Sequence, residues 1–155
     1  MSEVEVRKYE IGAKHRKNLK KLADYLAALP PDYKHFNMRT YVSGGLDPDD
    51  LTRDYLKGCG TVACAAGHAP AAGIGRRSQG RYRDWQEYLE YFLLPVGAPY
   101  TELFCWMFDA TWSFTDDTPQ GAAKRIYFVL EHGGIPLNTW DQLSGKAPYM
   151  FADAK

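Results

Sequence analysis

Cysteine is scarce in this chain, with three among 155 residues. That number argues against a disulfide-built scaffold, which needs an even and denser set, and leads us to expect free thiols in a reducing compartment. Net charge is lacking as well: Lys and Arg total 19, and Asp and Glu total 19. A balanced chain has no global basic field to draw it onto nucleic acid or an anionic membrane. Nor is there an apolar run of the roughly 18 residues that a membrane-spanning helix needs, so no membrane partner is expected. The start, Met1-Ser2-Glu3-Val4-Glu5-Val6-Arg7, has no apolar signal region and points to a cytoplasmic protein. Internal repeats, low-complexity tracts, a dinucleotide fingerprint, a phosphate loop and a Ser/His/Asp order are all missing.

What the chain does have is aromatic and helix-forming. Aromatics make up 14% and hydrophobic residues 45%, enough to build the core of one domain covering 1–155. Leu19, Leu22, Ala23, Leu26 and Leu29 recur at helical spacing, opposite Lys17, Lys20, Lys21 and Asp24, and predict a helix over 14–29 that Pro30-Pro31 stops. A short helix is predicted over 48–57 and another over 62–72, capped by Thr61 and ended by Gly73. Trp85, Tyr88, Leu89, Phe92 and Leu93 mark a helix over 84–94. The uniformly apolar stretch 103–108 is expected to be a buried central helix. Thr118 as cap with Pro119 in the first turn starts the best-marked helix, which Gly133-Gly134 ends. The expectation is a mainly α fold: a single compact helical domain of about five to six helices with long ordered connections. Residues 1–13 are left as a segment free to move, and the apolar tail 137–155 is expected to pack back on the body.

Candidate chemistry concentrates in Cys59-Gly60-Thr61-Val62-Ala63-Cys64-Ala65-Ala66-Gly67-His68. With Thr61 as cap, Cys64 falls in the first helical turn, where unpaired N–H groups and the helix dipole favour thiolate. His68 lies four residues on and on the same face, so Cys64 and His68 are the candidate nucleophile and base of a thiol-dependent hydrolase. Cys59, Cys64 and His68 also read as three zinc ligands, C-x4-C-x3-H, with Cys105, His35 or His132 as a fourth. A Cys59–Cys64 disulfide is sterically conceivable but disagrees with the expected compartment. A packing reading competes with all of these. In it the run of alanines around Gly67 makes a thin helix, Cys64 is a small core group, and His68 is a buried hydrogen-bonding side chain.

A second constellation is the glycine-rich loop with Arg76, Arg77, Arg81 and Arg83, next to Tyr82, Trp85 and Tyr88. Interfaces favour Arg, Tyr and Trp, so Arg76, Arg77, Arg81, Tyr82 and Trp85 form the candidate binding surface. Cations interleaved with aromatics also suit single-stranded nucleic acid, but the neutral chain makes a protein partner the stronger expectation. Asp109, Asp116 and Asp117 could suggest a cation site, yet Asp116-Asp117-Thr118-Pro119 is accounted for as a capped helix start.

The block Cys59 to Ala69 resembles a motif of the form CGTxACxAGxA in small proteins of bacteria and their phages. The regions 17–41, of the form NLxKLAxYLxxLPxDYxHFxM, and 117–136, TPxxAAxRIxxxLxxGxP, are similar to the same group. The resemblance implies a bacterial or phage origin, with the host cytoplasm as the place of action in the phage case, and no particular activity. In similar proteins the position of His68 can carry tryptophan, which implies that it is not an obligatory ligand or base. The expected function is therefore that of a non-enzymatic accessory or interaction protein, binding a host protein or a small ligand without a cofactor. The alternative is a Cys/His site, holding structural zinc or acting as a thiol hydrolase.

Overall fold

Between Ala13 and Ala27 the chain forms the first helix, α1. Its spacing does what the sequence predicts: Leu19, Leu22, Ala23 and Leu26 are fully buried, while Lys17, Lys20, Lys21 and Asp24 face outward. Each such leucine contributes about 1.5–3 kcal/mol by leaving water. The computed structural model describes residues 5–30, 68–69, 72–74, 85–95 and 101–151, the side chains of 85–88 excepted. The expected helix over 48–57, most of that over 62–72, and the arginine-rich loop lie outside the described residues.

Among the described residues the fold is mainly α. Helices α2 (Trp85–Phe92), α3 (Glu102–Phe108), α4 (Pro119–His132) and α5 (Thr139–Ser144) follow α1 in order, with a 3-10 turn over Ala110–Phe114 between α3 and α4. None is long and apolar enough to cross a membrane. Helix α4 packs chiefly on α1, and α3 packs on α4 and α5. The core that results joins Leu19, Leu22 and Leu26 to Trp106, Trp112 and Ile126.

The start of α4 follows its sequence signals. Thr118 Oγ1 accepts the Gly121 N–H at 2.9 Å, and Pro119 takes the first turn, where its missing N–H costs nothing. Gly133, at φ 71°, closes the helix in the left-handed region, with its N–H on Val129 O. The stretch 103–108 is a helix as expected, with Leu103, Trp106, Met107 and Phe108 buried and Phe104 and Cys105 half-buried. Trp112 Nε1 donates to the carbonyls of Cys105 and Trp106, both at 2.9 Å, and so ties the 3-10 turn to the end of α3.

No strand was expected from the sequence, and two short ones occur. Val6–Lys8 (β1) pairs antiparallel with Gly134–Pro136 (β2), in the register Val6 with Pro136 and Lys8 with Gly134. The segment left free to move from the sequence thus carries, over these residues, a ladder extended by Tyr9 N–H on Gly133 O and Leu137 N–H on Glu5 O. Gly134 has to be glycine here, because any Cβ would run into the Arg7 carbonyl.

Beyond α5 the chain runs back over the body. Ala147, Tyr149 and Phe151 are half-buried, while Pro148 and Met150 between them are exposed. The segment is built of bends and turns, and it presents these alternate half-buried side chains to the body. Ala147 N–H bonds Asp141 O at 3.0 Å, and Met150 N–H bonds Gln142 Oε1 at 3.0 Å.

Candidate functional site

A concavity among the described residues lies between the C-terminal half of α1 and the turn 72–74. It measures about 410 Å³ and is lined by Lys21, Asp24, Tyr25, Ala28, Leu29 and Ala72, a volume that suits a small ligand or an inserted side chain. Helix α1 brings Lys21, Asp24, Tyr25 and Ala28 onto one side through its three- and four-residue spacing. The facing wall comes from the end of the motif segment. There Ile74 N–H bonds Ala69 O at 3.1 Å and Ala72 N–H bonds His68 O at 3.0 Å, with Gly73 at φ 86°. The left-handed Gly73 lets these bonds close a tight turn at the wall of the cleft.

The charged groups of the cleft are already engaged. Asp24 accepts from Lys20 at 2.8 Å and from the Tyr127 hydroxyl. These two donors, Lys20 first, hold its carboxyl below the usual range. Burial and the bond to Asp24 push the Tyr127 phenol up to about 12. Lys21 Nζ donates to Gly73 O at 3.2 Å, which fastens the turn to α1. An ionised carboxylate held by a cation and a phenol accepts hydrogen bonds and is a poor proton donor at neutral pH. The floor of Ala28, Leu29 and Ala72 supplies apolar contact.

The sequence candidates fall as follows. Cys59, Cys64, Arg76, Arg77, Arg81 and Tyr82 lie outside the described residues, and so does His35. Trp85 opens α2, its side chain being outside the description. His68 is fully buried, its ring 6.3 Å from that of Tyr25 and tilted by 40°. His132 stacks on Phe128 at 4.3 Å at the end of α4, and Cys105 sits half-buried in α3. Among the described residues no three His, Cys, Asp or Glu side chains come together in a metal-holding group. Helix α2 is fixed at its C-terminal end by α1. His15 Nε2 lies 3.0 Å from the carbonyl oxygens of both Glu90 and Tyr91 and must carry the proton, Asn18 Nδ2 donates to Phe92 O at 2.8 Å, and Lys14 Nζ stands 3.2 Å over the Tyr91 ring.

The surroundings of Cys105 disfavour its thiolate. Burial first, then the neighbouring Asp109 and Glu102 carboxylates, push the thiol up to about 12. Its labelling by a thiol reagent at pH 8 is expected to run about a hundredfold slower than that of an ordinary thiol of pKa ~8.5. The rate measured on a Cys59→Ser, Cys64→Ser variant, in which Cys105 is the remaining cysteine, checks this.

Sequence reasoning missed a second cluster. Arg125, in α4, is fully buried. Its Nη1 donates to the Tyr149 hydroxyl at 2.7 Å and lies 3.8 Å from Asp116 Oδ2. The Tyr149 hydroxyl in turn donates to Asp116 Oδ2 at 2.9 Å. Thr118 Oγ1 donates to Asp116 Oδ1 at 2.6 Å, and the indole face of Trp112 lies 4.7 Å from the guanidinium carbon. Burial pulls Arg125 below its ordinary proton affinity, against the pull of Tyr149 and Asp116. Burial also pushes the Tyr149 phenol above its usual range, so it stays a hydroxyl and a donor. Gly121 makes room for all this, since any Cβ there would strike the Asp116 carboxylate. A signal was available in the sequence. Arg125 stands three residues after Ala122 and four before Val129, on the apolar face of α4, where a guanidinium needs partners.

Comparison of the chain with family models, curated proteins and solved structures returns no match.

Proposed function

We propose that this chain acts by binding, as a small accessory or interaction protein of bacterial or phage origin that takes a host protein or a small ligand. The observation that carries the reading is the cleft between α1 and the turn 72–74. Its apolar floor offers contact area, while Asp24 is committed to Lys20 and Tyr127 and Lys21 to Gly73. Such groups orient and recognise; they are not poised to move protons. The neutral charge and aromatic surplus of the chain fit the same role, and Arg76, Arg77, Arg81, Tyr82 and Trp85 remain its proposed second contact surface. A thiol hydrolase built on Cys64 and His68 would need substrate to reach the imidazole, and the full burial of His68 opposes that.

Two variants test the proposal by capture from host extract, with retained proteins and small molecules identified by mass spectrometry. Ala28→Trp fills the cleft from the exposed residue that caps the end of α1; Arg76→Ala, Arg77→Ala and Arg81→Ala together remove three charges of the loop. Loss of a reproducible partner in either folded variant supports binding through that surface. A wild-type chain that retains nothing, or retains the same set as both variants, refutes it. Zinc analysis of the purified chain decides the rival: about one equivalent of zinc, lost in Cys59→Ser, would replace the binding reading by a structural metal site.

A further inference from the structure

The guanidinium of Arg125 uses one of its edges and leaves another. Nη1 carries the contacts to Tyr149 and Asp116. Nε and Nη2, both buried, meet no acceptor among the described residues. These two nitrogens form the side-on edge of the group, whose parallel N–H bonds match the two oxygens of a carboxylate. A buried donor without an acceptor is costly, and here two of them point the same way. Its positive charge faces Asp116 at 3.8 Å, which also serves Tyr149 and Thr118, and Asp117 adds a weaker pull.

The segment beyond α5 lies against this group through Tyr149, whose hydroxyl meets Nη1 and whose ring centre is 5.9 Å from the guanidinium carbon. Its inward side chains are Ala147, Tyr149 and Phe151; Tyr149 lies 5.2 Å from Trp112 and Phe151 lies 6.1 Å from Trp106, between ring centres. Among the described residues, the hydrogen bonds that hold it besides those of the Tyr149 hydroxyl are Ala147 N–H on Asp141 O and Met150 N–H on Gln142 Oε1. It leaves α5 at Gly145, in the left-handed region at φ 81°. A segment held by so few bonds, with alternate residues exposed, belongs to the part of a fold that opens first.

We propose that Arg125 anchors a carboxylate-binding site and that Ala147–Phe151 is the strap that closes over it. The free edge selects the ligand class: its two parallel N–H groups match the two oxygens of a planar carboxylate. With the Asp116 and Asp117 carboxylates already acting on Arg125, a monoanion is accommodated far more readily than a phosphate dianion. The Trp112 face holds the guanidinium plane, and the free edge fixes the orientation of the ligand. Binding requires the strap to lift, so the apparent affinity is the intrinsic one reduced by the fraction of molecules that are open. This site is separate from the cleft on α1, and its failure would leave the binding reading untouched.

The experiment titrates formate, the smallest carboxylate, into the full chain and follows the Arg125 Nε–H resonance by nitrogen-edited NMR. Arg125→Lys identifies that resonance by its disappearance, and the thermal midpoint of the intact chain gives a second readout that needs no assignment. In the wild type both should change saturably with formate and not with chloride at equal ionic strength. Tyr149→Phe keeps the guanidinium and removes the strap's bond to Asp116, so it should saturate at roughly fivefold lower formate or less. No change in either protein, a change matched by chloride, or the same midpoint concentration in both would overturn the proposal.

Discussion

Replacing Trp106 by alanine is expected to lower the unfolding free energy by about 3–5 kcal/mol, a large part of the ~5–15 kcal/mol that domains of this size have. Trp106 has no exposed surface and sits where three elements meet. Its ring meets Trp112 edge-on at 5.5 Å and Phe128 at 5.7 Å, and Phe151 of the strap lies beyond. Its indole N–H donates to Arg125 O at 2.9 Å, so the change removes ring volume and a buried donor together. Trp106→Phe keeps much of the ring and loses the donor, and should cost about 1–2 kcal/mol. Phe114→Ala sets the contrast: that ring is 79% exposed, and the change should stay within about 0.5 kcal/mol. Urea unfolding of the three variants checks the order. A Trp106→Ala chain as stable as Phe114→Ala would mean that the core is not built around α3.

That outcome bears on what was legible beforehand. Helices α1 and α4 could be read from the sequence because the signals agreed: spacing, caps and stops all marked the same boundaries at Thr118, Pro119 and Gly133. The apolar stretch 103–108 has no period, and such a run does not by its pattern separate a helix from a buried strand. The pair β1 and β2 was invisible for a different reason. Three-residue strands are too short for an alternating pattern, and Gly133-Gly134 and Pro136 already had an explanation as the end of α4. What fixes the pair is a long-range fit, the Arg7 carbonyl against the bare Cα of Gly134, which no local pattern encodes. The site divides in the same way. The cysteine and histidine motif runs to His68, whose ring faces Tyr25 of the cleft at 6.3 Å. The partners that define the cleft electrostatically, Asp24 and Tyr127, are 103 positions apart. The Arg125 cluster was hidden in plain helical notation: Asp116 had an adequate local role near the cap, and only the return of the tail brings Tyr149 to it.

The cluster gives the second large effect, and its sign pattern separates charge from packing. Asp116→Ala is expected to cost about 3 kcal/mol, at the low end for breaking a buried pair because the carboxylate is partly exposed. The loss comes mainly from what stays behind: Arg125 keeps its charge, its nearest anion is gone, and the Tyr149 hydroxyl loses its acceptor. Arg125→Met removes the charge and fills much of the same space, leaving Asp116 at 19% side-chain exposure with Thr118 and Tyr149 still donating to it. That variant should therefore lose only about 1 kcal/mol. Combining the two should be less harmful than Asp116→Ala alone, with a coupling of about 1–3 kcal/mol. Urea denaturation of the four proteins in the cycle measures it. Simple additivity would show that Asp116 acts only through Thr118 and the start of α4. A coupling of that size would show that the buried guanidinium makes the carboxylate indispensable.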